Sequence, residues 1–167
     1  MRYEHVIGIV RGLNAAGAQY LIVGGLAVNA HGFVRMTVDL DLLVGLESQN
    51  LARALPVFRA LKYVPRAPVA LEDFADAAKR DQWRDEKKLT VFSLFSAAFP
   101  ETEIDLFVHD PLGFTDAAGR AQPFFIAPGV VAPVCCVADL IRLKMIAARP
   151  KDMEDIRNLK RLHPENL

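Results

Sequence analysis

Two cysteines, one tryptophan, no net charge and no long apolar run are what this chain has least of, and each scarcity excludes something. Cys135 and Cys136 are neighbours inside an apolar stretch, where local geometry disfavours a mutual disulfide and the spacing of a zinc site is missing. They read as reduced core residues, which excludes a disulfide scaffold and a cysteine metal centre. Twenty basic residues balance twenty acidic ones, so no global field draws the molecule onto nucleic acid or an anionic membrane, and any polyanion site has to be local. Charge or proline interrupts the apolar stretches before the roughly 20 residues that a membrane helix needs, and residues 1–11 carry no signal-peptide pattern. The expectation is a soluble, cytoplasmic protein. No repeat, linker or low-complexity segment breaks the chain. What it has is 167 residues, 52% of them hydrophobic, enough for one globular domain spanning residues 1–167 with a real core.

The periodicities sort into helices and strands. Val6, Ile9, Val10 and Leu13 recur at helical spacing over residues 5–16 and stop at Gly17. A short apolar strand over residues 20–23 meets Gly24-Gly25, after which residues 26–31 make a short helix. From Thr37 to Val44 polar and apolar residues alternate as in a strand with one apolar face. Residues 48–61 form an amphipathic helix with Ser48 as its cap. Proline and charge blur residues 65–88, where residues 71–80 hold at most a helical turn or two. Residues 89–95 and 103–108 read as a hairpin, and a turn-rich stretch leads to short strands near 124–126 and 130–134. Residues 139–149 form a helix that Pro150 ends, and residues 151–162 form a last charged one. The elements give an α+β fold: a core over residues 19–134 and C-terminal helices over residues 138–163.

Chemistry concentrates in Asp39-Leu40-Asp41. The two-residue period of a strand puts both carboxylates on one side while Leu40 points to the core. Two such anions repel, each raising its neighbour's pKa, unless a cation lies between them; hard oxygen ligands suit Mg2+ or Mn2+. Asp105, between inward-facing Ile104 and Leu106, emerges in the same way from a later strand, so three carboxylates can converge. Gly24 and Gly25 lie where a strand hands over to a helix, leaving backbone N–H groups open to a phosphate. Arg35 and Lys144 are the cations placed to neutralise phosphate charge. Taken singly, a Gly-Gly pair is more often a plain turn and an Asp-x-Asp more often a solvated face; their order and spacing argue otherwise.

Residues 23–44, Val-Gly-Gly-Leu-Ala-Val-Asn-Ala-His-Gly-Phe-Val-Arg-Met-Thr-Val-Asp-Leu-Asp-Leu-Leu-Val, resemble the signature of the polymerase-beta-type nucleotidyltransferases. The approach Arg35-Met-Thr37 and the run Leu143-Lys-Met-Ile-Ala-Ala-Arg-Pro-Lys-Asp-Met-Glu-Asp155 resemble more narrowly the AbiEii-like branch, known as toxins of bacterial toxin–antitoxin and abortive-infection systems. The matching stretches cover a third to two-fifths of the chain. The resemblance implies a mixed, largely antiparallel central sheet flanked by helices, with Asp39, Asp41 and Asp105 as metal ligands. It places Gly24 and Gly25 at the nucleotide phosphates, with Arg35 and Thr37 on the approach, and matches Lys144 to a family lysine at the triphosphate. Arg149, Lys151 and Asp152 would then line the edge of the site.

The expected function is transfer of a nucleoside monophosphate from an NTP, with Mg2+ or Mn2+, to an acceptor hydroxyl on RNA such as tRNA, on a protein or on a small molecule, with an antitoxin as a partner. The alternative is a non-catalytic nucleotide-binding or regulatory module of the same fold. Asp152 and Asp155 lie near the start of the last helix and read first as partners of its dipole and exposed N–H groups. Trp83, beside Arg80, Arg84 and Lys87, offers a ring for stacking on a base, or more simply a partly buried aromatic under a charged face. No histidine shows metal-ligand spacing, and none is assigned a role.

Overall fold

A computed structural model describes residues 1–166 of the chain. The N-terminal helix α1 (Tyr3–Ala15) buries Val6, Ile9, Val10 and Leu13 and leads through Gly17, at φ +61°, into strand β1 (Tyr20–Ile22). Helix α2 (Gly24–Ala30) already contains both glycines, so they form its first turn and do not precede it. Strand β2 is Asp39–Val44; Thr37 and Val38 lie outside it, and Val38 is exposed instead of lining an apolar face. Helix α3 (Ser48–Ala60) has Glu47 at its N-cap and no capping side chain, so Ser48 does not cap it. A two-residue strand β3 (Val64–Pro65) follows.

The blurred region is more ordered than its composition predicts. A 3₁₀ turn (Leu71–Ala75) is followed by α4 (Ala77–Lys87), whose N-cap Asp76 accepts hydrogen bonds from the backbone of Ala78 and Lys79. Trp83 on α4 is buried and stacked on Phe92, ring centroids 5.0 Å apart and 6° from parallel, so it is a core residue and not an open platform for a base. Strands β4 (Val91–Phe95) and β5 (Glu103–Phe107) form the expected antiparallel pair. The turn-rich stretch hides a short helix α5 (Phe114–Gly119), and β6 (Gln122–Ala127) pairs with β7 (Val130–Val134). Helix α6 (Val137–Ala147) ends with Ala148 in the left-handed conformation, and Pro150 opens α7 (Pro150–Leu162) as its first residue, the position where its missing N–H costs nothing.

Among the described residues seven strands join one sheet in the order β3-β4-β5-β2-β1-β7-β6. Pairing is antiparallel except where β2 meets β5 and β1 meets β7. The protein is therefore an α+β fold with a mixed, largely antiparallel sheet, flanking helices and a helical C-terminus. Leu40, Leu42, Ile104 and Leu106, alternating with the acids, are fully buried in a core shared with α1 and α3. Among the described residues no helix is long and apolar enough to cross a membrane. Both cysteines are free.

Candidate active site

The parallel pairing of β2 with β5 decides the centre of the site. Its register sets Asp41 opposite Asp105 and Asp39 opposite Glu103, so the odd-numbered residues of both strands share one sheet face. Strand β4 adds Ser93, which is the register partner of Asp105 and donates its hydroxyl to Asp105 Oδ1 at 2.5 Å. One oxygen of Asp105 is thus held by Ser93. Glu103 is taken up by a two-pronged pair with Arg66, whose hydrogen bonds hold its carboxyl below the ordinary range.

Burial first, and the nearby charge of Asp105 second, push the Asp41 carboxyl up to about 6; the Gly25 N–H, 3.4 Å from Asp41 Oδ2, and Lys144 pull weakly the other way. Asp39 is raised too, by burial and then by Asp105 and Glu103. Burial and, after it, mutual repulsion thus disfavour these two anions more than their present hydrogen bonds relieve. The donor set is all oxygen, the kind a hard divalent cation takes. Among the described residues, however, no three His, Cys, Asp or Glu side chains already stand as a group that could hold an ion. The pair Asp41 and Asp105 is adjacent, whereas Asp39 sits one step further along the strand.

The glycine pair has a steric reason. Gly24, at φ +62°, lies against Asp41: a Cβ there would fall 1.8 Å from Asp41 Oδ2. At Gly25 it would fall 2.3 Å from Thr37 Oγ1. Both glycines let the acidic strand and its approach pack on the start of α2.

Behind the acids the C-terminal helices bring a second charged layer. Asp152 and Asp155 on α7 are fully buried. Asp155 binds Arg35 through two hydrogen bonds of 2.7 and 2.8 Å and Lys144 Nζ at 2.5 Å. Asp152 accepts from the Arg149 guanidinium at 2.7 and 3.2 Å, from the Arg149 backbone N–H, and from Lys144 at 3.4 Å. Burial raises both carboxyls, but these hydrogen bonds outweigh it and hold each below its ordinary value. Three cations thus share two carboxylates, leaving an excess of positive charge beside the acids of the sheet. The helix N-terminus reading of Asp152 holds in part, since its carboxylate accepts the Arg149 backbone N–H, while Asp155 serves the ion pairs.

A cavity of about 350 Å³ opens between this sheet face and α6. Gly24, Asp41, Asp105, Lys144, Arg149 and Asp152 line it, so the structure brings these expected residues together. Asp39, Gly25, Arg35, Thr37 and Lys151 do not line it: Arg35 is tied to Asp155, Thr37 packs on Gly25, and exposed Lys151 acts on Asp39 only through charge. Arg35, expected at the phosphates, is held by Asp155 of α7 and lies outside the cavity lining. Sequence reasoning passed over Ser93, Phe107 and His109, although Phe107 and His109 follow Asp105 at the two-residue period that revealed Asp105 itself. The other histidines are structural: His31 Nε2 lies 2.8 Å from the Cys135 carbonyl, His5 Nδ1 3.0 Å from Thr102 Oγ1, and His163 Nε2 2.8 Å from the His31 carbonyl.

No protein-family model and no curated protein matches the chain. Among solved structures it is similar to the antibiotic-resistance factor ANT(2'')-Ia, whose solution structure is described as revealing substrate-regulated conformation dynamics. The TM-score is 0.61 at 13% identity, over 98% of this chain and 85% of that one. A likeness at that identity is a likeness of fold.

Proposed function

We propose that the protein is a metal-dependent nucleotidyltransferase that moves a nucleoside monophosphate from an NTP to an acceptor hydroxyl. The single observation that carries the reading is the pairing of Asp41 with Asp105 across two parallel strands, at the floor of a cavity whose opposite wall supplies Lys144 and Arg149. Asp39, Asp41 and Asp105 would hold the Mg2+ or Mn2+, which when bound supplies charge neutralisation at the reacting phosphate. The raised carboxyls of Asp39 and Asp41, pushed up first by burial and then by neighbouring acids, are groups that a bound cation would relieve. Lys144 and Arg149 face the phosphates with the positive charge that Asp152 and Asp155 leave uncompensated, and Gly24 keeps the floor clear of a side chain. In the transfer the acceptor oxygen bonds to the α-phosphorus, the bond from that phosphorus to the bridging oxygen breaks, and pyrophosphate leaves. The acceptor proton passes to Asp105, whose Oδ1 is already fixed by Ser93. The sequence resemblance to polymerase-beta-type enzymes and the fold likeness to a resistance factor both support this assignment.

The acceptor stays within three classes: RNA such as tRNA, a protein hydroxyl, or a small molecule. Incubation with α-labelled triphosphates, Mg2+ and separate RNA, protein and metabolite extracts tests the activity, and the fraction that gains label names the acceptor. Asp41→Asn is expected to fold and to lose transfer by at least about a hundredfold, the scale of removing a group that acts at the reacting centre. Full activity in that variant sinks the assignment. The non-catalytic alternative predicts thermal stabilisation by an NTP with no pyrophosphate released.

The finer reading, a toxin with an antitoxin partner, rests on the AbiEii-like run ending at Asp155. Induced expression in bacteria is then expected to arrest growth, and Asp41→Asn to abolish the arrest. Unimpaired growth with active protein would remove the toxin role and leave the transferase standing.

A further inference from the structure

The lining changes character along β5. Asp41 and Asp105 stand with Lys144 and Arg149. The end beyond Asp105 is walled by Val91, Phe107 and Pro111, while Leu140, Leu143 and Ile146 of α6 line the cavity on either side of Lys144. His109 also lines the cavity, and its Nδ1 is buried with no hydrogen-bond partner among the described residues. Exposed Thr90 is the other polar residue at this end. A buried ring nitrogen without a partner is costly unless something that enters the cavity satisfies it.

Resting on the nucleotidyltransferase reading, we infer that this apolar end seats the base of the donor nucleoside triphosphate and that His109 Nδ1 is the atom that discriminates among bases. A flat heteroaromatic ring buries well against Phe107, Leu140 and Leu143, and its edge offers the hydrogen bond that Nδ1 lacks. Reach agrees: His109 is four residues beyond Asp105 along the chain, at most about 13 Å at the rise of an extended strand, on the order of the span from phosphate to far base edge in a nucleotide. The whole cavity, about 350 Å³, lies within the range of small-molecule sites. The chemistry disfavours the other acceptor groups as occupants of this end. It contains no carboxylate for a polycationic sugar and no lysine or arginine for a nucleic-acid backbone.

The test is binding of non-hydrolysable ATP, GTP, CTP and UTP analogues, and of base-free ribose triphosphate, to the full chain with Mg2+, by calorimetry. The expected result is that at least one base binds roughly tenfold or more tighter than the base-free triphosphate, about the worth of one buried hydrogen bond with its stacking. His109→Phe, which keeps a ring and removes both nitrogens, should flatten the ranking of the four bases about tenfold while leaving base-free affinity unchanged. His109→Asn, which retains a polar atom, should keep part of the preference and serves where the phenylalanine variant does not fold. Phe107→Ala should weaken all four analogues together. Base-free triphosphate binding as tightly as the best analogue, or an unaltered ranking in both His109 variants, overturns the inference and leaves the transferase intact. Failure of every triphosphate to bind overturns both. A His109 dependence seen with a short RNA acceptor and absent with the triphosphates puts the acceptor's base in the pocket and also overturns it.

Discussion

Asp41 is a carboxylate whose surroundings disfavour its charge. Its folded pKa, about 6, lies above the ordinary carboxylate value because burial and Asp105 disfavour the anion. The linkage follows: an acid whose folded pKa is raised binds its proton more tightly folded than unfolded, so it costs stability as pH rises from about 4 through 6. Removing the charge removes the cost. In metal-free buffer Asp41→Asn is expected to match the wild type near pH 4 and to be the more stable by about 1–2 kcal/mol above pH 7, the shift discounted for partial solvent access. Thermal melts across pH check this, and a variant less stable at neutral pH would refute it. Divalent metal should erase the difference by stabilising the wild type alone.

The glycines are a second residue-scale consequence. Gly24→Ala would combine a left-handed backbone with a Cβ at 1.8 Å from Asp41 Oδ2. A loss of about 1–3 kcal/mol is expected, read from chemical denaturation, because the acid must swing away or the helix start must shift. A neutral outcome would mean that the contact between α2 and β2 is slack. Alternation in the sequence was enough to put Asp39, Asp41 and Asp105 on one sheet face. It did not reveal that Arg35 would be spent on Asp155, because an ion pair spanning 120 residues leaves no local trace.

At the scale of elements, α7 is held to the sheet side of the molecule by charge as much as by apolar contact. It buries Leu159, Asp152 and Asp155, and Asp155 meets Arg35 from the approach to β2 and Lys144 from α6. Asp155→Ala strips two cations of a buried partner, which is expected to cost about 3–5 kcal/mol in denaturant unfolding. Since the wild-type carboxyl is held low, its contribution is present above the unfolded pKa and lost as pH falls through the folded one, so wild type and variant should converge in acid. A constant gap down to pH 2 would contradict the ion-pair account. Elements with strong apolar periods, α1, β2, β5 and α6, were legible in the sequence to within a few residues. Helix α4 was not, because only Arg80 and Trp83 of its eleven residues are buried and the rest present charge to solvent. Strand β3 is two residues long and exists by pairing with β4, and α5 is a single short helix among turn residues. Such elements are made by tertiary partners, and no window of the sequence displays them.

On the scale of the whole molecule, the question is whether the half carrying β3, β4 and α4 unfolds with the rest. Two features tie it in. Strand β4 shares four register pairs with β5, and β5 shares four with β2 at the centre of the sheet. The Trp83 ring lies on Phe92, whose strand neighbour Leu94 is in the common core. The chain's one tryptophan therefore reports on the peripheral half, while far-UV circular dichroism weights α1, α3, α6 and α7. A single cooperative domain over residues 1–167 requires the two signals to lose half their amplitude at the same denaturant concentration. Coincidence is expected, with Trp83 emission shifting to the red as the ring leaves its stack. An earlier tryptophan transition would divide the molecule at the β5–β2 junction, the seam that sets Asp105 beside Asp41. The site would then be assembled by docking of two units, and divalent metal together with NTP should draw the transitions together, since both would bind only the joined form.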